Sequence, residues 1–303
     1  MDSESNFIEK SYNNHERHYT KYIDGGECEN TGYSWCTQGT ADGWRHQRLF
    51  DNLLPLIERY PDASWLTVGD GRYGSDAHYL QEKGINVIAT DISDVLLKVA
   101  KERSFIKQYQ KENAEALSFK DKSFDFVLCK ESYHHFPRPI IALYEMLRVA
   151  QKGIVFIEPG DSYIDSGFMQ IPLRSIKNIA RKIIRNRSSK HDFESVGNYV
   201  YRLSRREIEK IALGINLKTV AFRGMNDYYF KGLDSAKAEK GNRVFLKLRI
   251  IIGIQNILCR LGLIDYTMLI ALIFKTEPDE DLRKLLKLHS FKVIDLPQNP
   301  YLK

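Results

Sequence analysis

The sequence predicts an α/β fold in which a mostly parallel sheet lies between two layers of helices. Residues 65–76, WLTVGDGRYGSD, begin as an apolar run and break into glycines before a helical pattern starts. A second apolar run ends at Asp91, about where nucleotide-binding α/β folds place a ribose-binding carboxylate. This order of strand, tight turn, helix and second strand indicates a ligand site at the carboxyl ends of the strands.

The turn after the first strand contains three glycines that suit a ligand site. Gly69, Gly71 and Gly74 lack a Cβ atom, so the backbone there can adopt positive φ angles and let a ligand approach closely. The first turn of the following helix has N–H groups without helical partners, and we expect these groups to be free to bind. The same glycine spacing also fits a nicotinamide dinucleotide site, so the loop alone does not decide the ligand.

Motifs further along the chain distinguish between these ligands. Residues 113–119 read NAEALSF, and they are followed by Phe124–Asp125, a histidine pair at 134–135, the stretch EMLRV at 145–149 and Gly153. In this order the motifs resemble those of class I S-adenosylmethionine-dependent methyltransferases, particularly the type-11 group. The resemblance covers residues 63 to about 223. A nicotinamide oxidoreductase has no place for the ordered motifs after residue 113.

The resemblance implies a three-layer sandwich with a seven-stranded sheet in the order 3-2-1-4-5-7-6, in which the seventh strand is antiparallel. It also implies S-adenosylmethionine as the cofactor, with Asp91 on the ribose and Asn113 with Ala114 on the adenine. The full set of residues that the resemblance assigns to cofactor binding is Gly69, Asp70, Gly71, Gly74, Asp91, Ile92, Asn113 and Ala114.

The chain departs from the family pattern at three positions. Thr67 stands where the family usually has an acidic residue, and Gly74 comes one place later than the third family glycine. Asn113 replaces an aspartate, although its side-chain oxygen can still accept a hydrogen bond from an adenine amine. Asp70 is the candidate to replace the carboxylate missing at Thr67. These departures leave open a protein that binds S-adenosylmethionine without turnover.

Residues 1–62 are predicted to form an N-terminal cap and a leading helix, and residues 63–303 the methyltransferase domain. Residues 1–43 show no strong periodicity and are rich in tyrosine and histidine, which favours either an irregular packed arm or a cap over the cofactor. Residues 44–60 carry leucines on one face and predict the leading helix. Four N-terminal residues have the types of a zinc set but the spacing of no compact finger, so we predict no metal site: His15, His18, Cys28 and Cys36.

Local signals predict the elements that follow. Ser93 is the expected N-cap of one helix, and Ser204 with Glu207 forms a capping-box pattern for another. Pro139 suits the first turn of a helix. Glu158 lies at a ligand-facing strand end. Apolar runs predict strands at 86–92, 124–129, 154–157, 217–222 and 266–274, a short helix covers 279–289, and one more extended segment covers 291–296.

The candidate catalytic residues follow the carboxyl end of the strand predicted at 124–129: Glu131, His134 and His135. Methyl transfer is an in-line displacement, so the protein mainly holds the acceptor and the methyl group in line. A general base helps if the acceptor is a hydroxyl, and histidine suits this role because its ordinary pKa is about 6.5. Glu131 is the alternative base. The structural alternative is that one histidine caps the loop and the other packs.

Two insertions, at about 162–200 and 225–264, interrupt the domain, and a C-terminal extension begins at about 278. The first contains an amphipathic helical pattern with a basic stripe, which is either a solvated face or a surface for anionic lipid headgroups, phosphates or acidic glycans: Arg174, Lys177, Arg181 and Arg185. In the second, residues 243–264 are apolar on most sides, which favours core or dimer packing over an acceptor lid or a membrane-touching patch.

Composition limits the location and partners. The chain has 303 residues, a formal net charge of +6 and four cysteines in no disulfide pattern, which favours a reducing cytoplasm. The polar N-terminus does not read as a signal peptide. The modest positive charge does not require a nucleic acid, since the basic residues would have to cluster. We therefore expect a cytoplasmic protein whose insertions permit peripheral contact with the inner membrane face.

The resemblance and the insertions together predict the activity. We expect a methyltransferase that acts on a small-molecule, glycan or lipid-linked acceptor, first of all by O-methylating a sugar in polysaccharide biosynthesis. The alternative acceptor is a prenylated quinone or another small apolar molecule. A non-catalytic S-adenosylmethionine-binding protein is the alternative from another class.

Overall fold

A single mixed sheet connects the segments of the chain. The computed structural model describes residues 2–22, 34–35, 37–161, 193 and 198–301. Within them the sheet has the order β3-β2-β1-β4-β5-β7-β6-β8. Its strands are β1 (Ser64–Val68), β2 (Asn86–Asp91), β3 (Tyr109–Lys111), β4 (Phe124–Lys130), β5 (Ala150–Pro159), β6 (Thr219–Met225), β7 (Met268–Phe274) and β8 (Lys292–Asp295).

The first seven strands have the predicted order, but the predicted strand number of seven is wrong. The extended segment of the C-terminal extension forms β8 and pairs antiparallel with β6. Strand β7 is antiparallel to both β5 and β6, as predicted. Gly153 permits its close approach to β5, because a Cβ atom there would lie 2.7 Å from the carbonyl oxygen of Ile273.

Helices cover both faces of the sheet and give the predicted three layers. Helices α3, α4, α5 and α9 pack on one face, where they share a core with Trp65 and Phe126, and α6 and α7 pack on the other, where Leu66 and Val127 are buried. The helices are α1 (Asp2–His18), α2 (Ala41–Phe50), α3 (Leu54–Arg59), α4 (Ser75–Glu82), α5 (Val95–Glu102), α6 (Pro139–Val149), α7 (Arg205–Gly214), α8 (Arg243–Arg260) and α9 (Glu280–Leu288).

The N-terminal segment differs from its prediction. Residues 2–18 form the helix α1 and not an irregular arm. A cap over the cofactor can be helical, so this prediction is not affected. The leading helix starts earlier than predicted, at Ala41, because the Thr40 side chain caps it by accepting from Gly43 N. A 3-10 turn at Asp51–Leu53 breaks it before α3. Pro55, in the first turn of α3, explains the break, because proline has no N–H to bond to the preceding turn.

Two cap predictions have different outcomes. The Ser204 hydroxyl accepts a hydrogen bond from Glu207 N at 3.0 Å, so the predicted cap of α7 is confirmed. The Ser93 cap is wrong, because Asp94 occupies the N-cap position of α5. The backbone N–H of Ser93 donates instead to the Asp91 carboxylate, which ties the start of this turn to the end of β2.

The second insertion contains α8, which packs on α2 through a separate small core. Phe245, Leu248 and Ile252 are buried there beside Ala41 and Leu233. The basic stripe predicted in the first insertion, from Arg174 to Arg185, lies outside the described residues. No helix in the described ranges combines the length and apolarity needed to cross a bilayer.

Candidate functional site

A cavity that is partly open to solvent lies where β1, β2 and β4 end. The carboxyl ends of parallel strands meet at one edge of the sheet, so residues that follow different strands converge there. The cavity includes five of the eight predicted cofactor-binding residues. Its lining residues are Tyr12, His15, Tyr19, Val68, Gly69, Thr90, Asp91, Ile92, Glu112, Asn113, Ala114, Glu115, Ser132, His135, Phe136 and Pro137.

Steric contacts explain the three loop glycines. Gly69 has φ +76°, and a Cβ atom there would lie 2.4 Å from Cβ of Ser132. At Gly71, a Cβ atom would lie 2.6 Å from both the Asp91 carboxylate carbon and the Tyr19 ring. Gly74 has φ +65° and faces Ile106, away from the cavity. The loop therefore needs glycine for backbone conformation and for close packing against the neighbouring strand ends.

Asp70 binds the start of α4 and does not line the cavity. Its carboxylate accepts hydrogen bonds from Asp76 N at 3.1 Å, from Ala77 N at 2.9 Å and from the Thr67 hydroxyl at 2.8 Å. Two of the N–H groups that we expected to be free for a ligand are thus occupied. Asp70 supplies a carboxylate beside the position where Thr67 replaces the family's acidic residue. Burial, together with the charge of Asp76, raises the pKa of Asp70 well above its ordinary value.

Asp91 lies in the cavity wall, at the end of β2. Its Oδ2 accepts from Gly71 N and its Oδ1 from Ser93 N, both at 2.9 Å. Burial raises the pKa of Asp91 to about 7, although these backbone N–H groups favour the charged form. Each carboxylate oxygen has a second lone pair, so the side chain can still accept hydrogen bonds from two hydroxyl groups.

Asn113 follows β3 and forms a tight turn. Its Oδ1 accepts from Glu115 N at 2.9 Å, which uses one of the two lone pairs that we assigned to adenine recognition. Glu112, also in the cavity wall, is held by Ser118, whose N–H donates to Oε2 at 2.9 Å. This stretch is therefore fixed by its own local hydrogen bonds before any ligand binds.

Helix α1 covers one side of the cavity through Tyr12 and His15, and the 3-10 turn that follows it, Tyr19–Tyr22, adds Tyr19. The Tyr12 hydroxyl donates to Glu115 Oε2 at 2.7 Å, and Arg138 Nε donates to the same oxygen at 2.6 Å. These three side chains connect α1 to the loops after β3 and β4. The sequence indicated an aromatic-rich segment here, but it gave no signal for the partner of Tyr12.

His135 is the candidate base that lines the cavity. Its ring centroid lies 5.6 Å from that of His15, on the covering helix. The buried Asn198 joins the two segments, because its Nδ2 donates to the His135 carbonyl oxygen and contacts the His15 ring, while its Oδ1 accepts from Ser11. Nothing in the sequence around Asn198 pointed to this role.

His134 does not line the cavity. Its Nδ1 lies 2.7 Å from Oε2 of Glu158, a residue at the end of β5 that is fully buried. The other carboxylate oxygen of Glu158 accepts from the N–H groups of Ser132 and Tyr133, at 2.7 and 2.9 Å. We placed Glu158 at a ligand-facing strand end but gave it no role. The structure shows that it holds the loop after β4.

Glu131 points into a buried cluster on another side of the loop. Its Oε2 lies 2.8 Å from Lys130 Nζ and 3.5 Å from Nδ1 of His46. Burial alone would raise the pKa of Glu131, but the charges of Lys130 and Arg45 lower it below its ordinary value. A carboxylate that is ionised and ion-paired in this way is a weak proton acceptor. Burial also lowers the pKa of His46, which is therefore neutral.

The zinc set considered for the N-terminal segment includes Cys28 and Cys36, which lie outside the described residues. Among the residues that the structure describes, no cluster of three or more His, Cys, Asp or Glu side chains could hold a metal ion.

Residues 66–157 match a family model described as "Methyltransferase domain". This segment includes the glycine loop, Asp91, Asn113 and the loop after β4, so the match covers most of the cavity wall. Helix α1 and the second insertion lie outside it.

Two curated proteins are similar to part of the chain. Demethylmenaquinone methyltransferase from Renibacterium salmoninarum is 32% identical over 117 residues, which cover 39% of this chain and 47% of that protein. 2-Methyl-6-phytyl-1,4-hydroquinone methyltransferase from Synechocystis sp. is 28% identical over 146 residues, which cover 47% of this chain and 45% of that protein. The chain thus spans about half the length of these two relatives.

Solved structures with a similar fold include magnesium protoporphyrin IX methyltransferase from Synechocystis PCC 6803 with bound SAH. It has a TM-score of 0.49 and 15% identity, with 86% of this chain and 100% of that chain covered. A second is a SAM-dependent methyltransferase from Archaeoglobus fulgidus, with a TM-score of 0.47 and 17% identity, covering 76% of this chain and 94% of that chain.

Proposed function

We propose that this chain is a class I, type-11-like S-adenosylmethionine-dependent methyltransferase and that it methylates a small apolar acceptor of the hydroquinone class. The proposal starts from residues 66–157, which match the methyltransferase domain model. One observation carries the proposal. The glycine loop, Asp91 and the Asn113–Ala114 turn meet at one cavity, and His135 lines the same cavity. A candidate cofactor site and a candidate base therefore line the same cavity.

The residues present fit the cofactor. Asp91 has lone pairs left for two ribose hydroxyls, and Ile92 with Ala114 provides apolar surface in the same cavity wall. Asn113 keeps one lone pair for an adenine amine, after its hydrogen bond to Glu115 N. S-adenosylmethionine supplies an activated methyl group on a positively charged sulfur. Gly69 lets the backbone approach the ligand, because no side chain projects from it.

The cavity lining supports an apolar acceptor over an acidic glycan. Among the described residues, its lining includes Val68, Ile92 and Phe136, together with three carboxylate side chains and no lysine or arginine. An anionic acceptor finds no lysine or arginine in this described lining, whereas a neutral aromatic molecule buries apolar surface there. The two curated relatives are named as methyltransferases of demethylmenaquinone and of 2-methyl-6-phytyl-1,4-hydroquinone, which agrees with this choice. In-line displacement requires an electron-rich acceptor, so we assign the reduced hydroquinone form.

The expectation of a sugar acceptor depended on the basic stripe from Arg174 to Arg185. That stripe lies outside the described residues, so nothing in the described structure favours a sugar acceptor. The roles of the individual site residues follow from the same proposal: Asp91 orients the ribose, and His135 accepts a proton if the reacting atom is a hydroxyl oxygen.

The test is transfer of an isotope-labelled methyl group from S-adenosylmethionine to two acceptors, a prenylated hydroquinone and an acidic sugar nucleotide. We expect label in the hydroquinone alone. Label in the sugar alone would overturn the assigned acceptor class and keep the methyltransferase. S-adenosylhomocysteine binding without transfer to either acceptor, or to a wider acceptor panel, supports the non-catalytic alternative.

A further inference from the structure

Helix α8 exposes a continuous apolar stripe to solvent. Its five members recur at intervals of four, four, three and four residues, so they lie on one face; the last of them, Leu261, is the C-cap residue directly after the helix. Each side chain is about half exposed or more: Leu246 (47%), Ile250 (52%), Ile254 (53%), Ile257 (58%) and Leu261 (63%). Soluble proteins rarely leave a contiguous apolar surface of this kind uncovered, and such patches mark sites of protein or membrane contact.

The stripe does not contribute to the fold, because a different face of α8 packs on the protein. Phe245, Leu248 and Ile252 are buried against α2 and the segment after β6, and the ring of Trp44 meets that of Phe245 at 5.1 Å. At 100° per residue, this packed face lies opposite the exposed stripe. Helix α8 is about 27 Å long, at 1.5 Å per residue. It has two apolar faces: one packs on the protein, and the other, which carries the stripe, is exposed.

The charges beside the stripe indicate what covers it. Helix α8 contains four cationic residues and no carboxylate, as its sequence RVFLKLRIIIGIQNILCR shows. Arg249 and Arg260 lie along one border of the stripe, and Lys247 lies along the other. A second copy of the chain that paired through this stripe would bring like charges together. An anionic lipid surface has the complementary charge and accepts both the apolar stripe and its cationic borders.

We propose that α8 lies in the plane of a membrane that contains anionic lipids, with the stripe inserted at the level of the headgroups and upper acyl chains. Helix α8 then anchors the protein peripherally, without crossing the bilayer. The proposal concerns a surface outside the matched methyltransferase segment, and binding to vesicles needs no turnover. It therefore stands or falls separately from the proposed function.

The experiment is co-sedimentation of the full chain with vesicles of phosphatidylcholine alone, or with about 30% phosphatidylglycerol added. We expect binding to the anionic vesicles, weak binding to the neutral ones, and a decrease as salt rises. The double variant Ile254→Ser, Ile257→Ser should bind at least about tenfold more weakly, since each buried isoleucine contributes strongly to transfer from water. Leu288→Ser, at an exposed apolar position on α9, is the matched control and should bind like the wild type.

A second pair of variants tests the charge. Arg249→Glu with Arg260→Glu should weaken binding to anionic vesicles by at least about tenfold, as lipid-surface attraction is lost at two positions. Lys98→Glu with Lys292→Glu changes the net charge equally at exposed positions away from α8, and it should have a much smaller effect.

Two results would overturn the proposal. Equal binding of the wild type and the isoleucine variant would show that α8 is not the anchor. Absence of vesicle binding, together with a dimer in sedimentation velocity that the isoleucine variant dissociates, would assign the stripe to a second copy of the chain. Circular dichroism and thermal unfolding of each variant establish that the fold is retained.

Discussion

Glu158 Oε2 lies 2.7 Å from His134 Nδ1, while Oε1 of the same carboxylate accepts from the N–H groups of Ser132 and Tyr133. The Ser132 hydroxyl in turn donates to the Gly69 carbonyl oxygen at 2.6 Å. One buried carboxylate at the end of β5 therefore fixes the loop after β4, and that loop contacts the glycine loop after β1. The two loops that form the cavity wall behave as one connected unit.

Replacing Glu158 with glutamine should destabilise the protein. The amide keeps one acceptor oxygen but places an NH₂ donor opposite either the ring nitrogen or the two backbone donors. We expect a loss of about 1–3 kcal/mol in the free energy of unfolding, measured by urea denaturation. Glu209→Gln removes a carboxylate from a surface pair with Arg206 and should cost less than about 1 kcal/mol. Equal losses in the two variants would contradict the role assigned to Glu158.

Replacing Gly69 with alanine should disrupt the glycine loop by steric clash. Gly84→Ala is a matched control, because Gly84 has φ +82° and nothing lies within 4 Å of a Cβ atom there, whereas at Gly69 Ser132 lies at 2.4 Å. Both variants carry the strain of a left-handed residue, about 1–2 kcal/mol. The additional loss at Gly69, read from thermal or urea unfolding, measures the clash, and we expect S-adenosylhomocysteine binding to fall only in Gly69→Ala. Similar stability and binding in the two variants would refute this explanation.

Binding of S-adenosylhomocysteine should strengthen as the pH rises from about 6 to 8. The pKa of Asp91 in the folded protein is about 7, so the side chain gains its negative charge in this window. The charged carboxylate is the better acceptor for ribose hydroxyls. Calorimetry at several pH values measures the effect, and Asp91→Asn should bind more weakly with little dependence on pH. A pH dependence that persists in Asp91→Asn would assign the titration to another group.

The same pKa shift affects the stability of the free protein. The folded pKa of Asp91, about 7, lies above the ordinary value of 3.8, so the folded state holds a proton that the unfolded state has lost. The contribution of Asp91 to the free energy of unfolding is therefore highest below pH 3.8, and it is lost as the pH rises from 3.8 through 7. Asp76, with a pKa of about 6, acts in the same direction. We expect Asp91→Asn to flatten the decline in unfolding free energy between pH 4 and 7, and an unchanged slope would contradict this.

Replacing each candidate base in turn should show which side chain accepts the proton and which ones only stabilise the loop. His135 lines the cavity, so His135→Ala should lower turnover by roughly 10²–10⁴ if the acceptor is a hydroxyl, with little change in cofactor affinity. His134→Ala should mainly lower stability, because it leaves Glu158 without one partner. Glu131→Gln should have little effect on proton transfer, since Glu131 is ion-paired outside the cavity. Near-normal turnover in His135→Ala would mean that positioning alone suffices.

Removal of one hydroxyl should loosen the covering helix. Tyr12→Phe loses the hydrogen bond to Glu115, worth about 1 kcal/mol, and we expect S-adenosylhomocysteine to dissociate about fivefold faster in stopped-flow measurements. Tyr144→Phe removes a hydroxyl from an exposed tyrosine on α6 and serves as the control. If both variants release the ligand at the wild-type rate, α1 does not restrain the ligand.

Side-chain roles near the cavity were harder to predict than the backbone. The glycines at 69, 71 and 74 indicated a strand, a turn and a helix, and the turn does contain positive φ angles. The assignment of free N–H groups at the helix start was wrong because Asp70, only six and seven residues away, caps them. Whether such a side chain turns inward or outward depends on the burial around it, which local sequence does not specify.

The sequence by itself determined the order of strands and helices, the glycine loop and the family resemblance, because these follow from periodicity and from residue types at fixed spacing. Only the tertiary structure decided which side chains share the cavity. Glu158 and His134 are 24 residues apart and Ser11 and Asn198 are 187 apart, so no local pattern relates them. Their contacts depend on how the sheet brings distant strand ends together, and the same packing leaves one apolar face of α8 exposed.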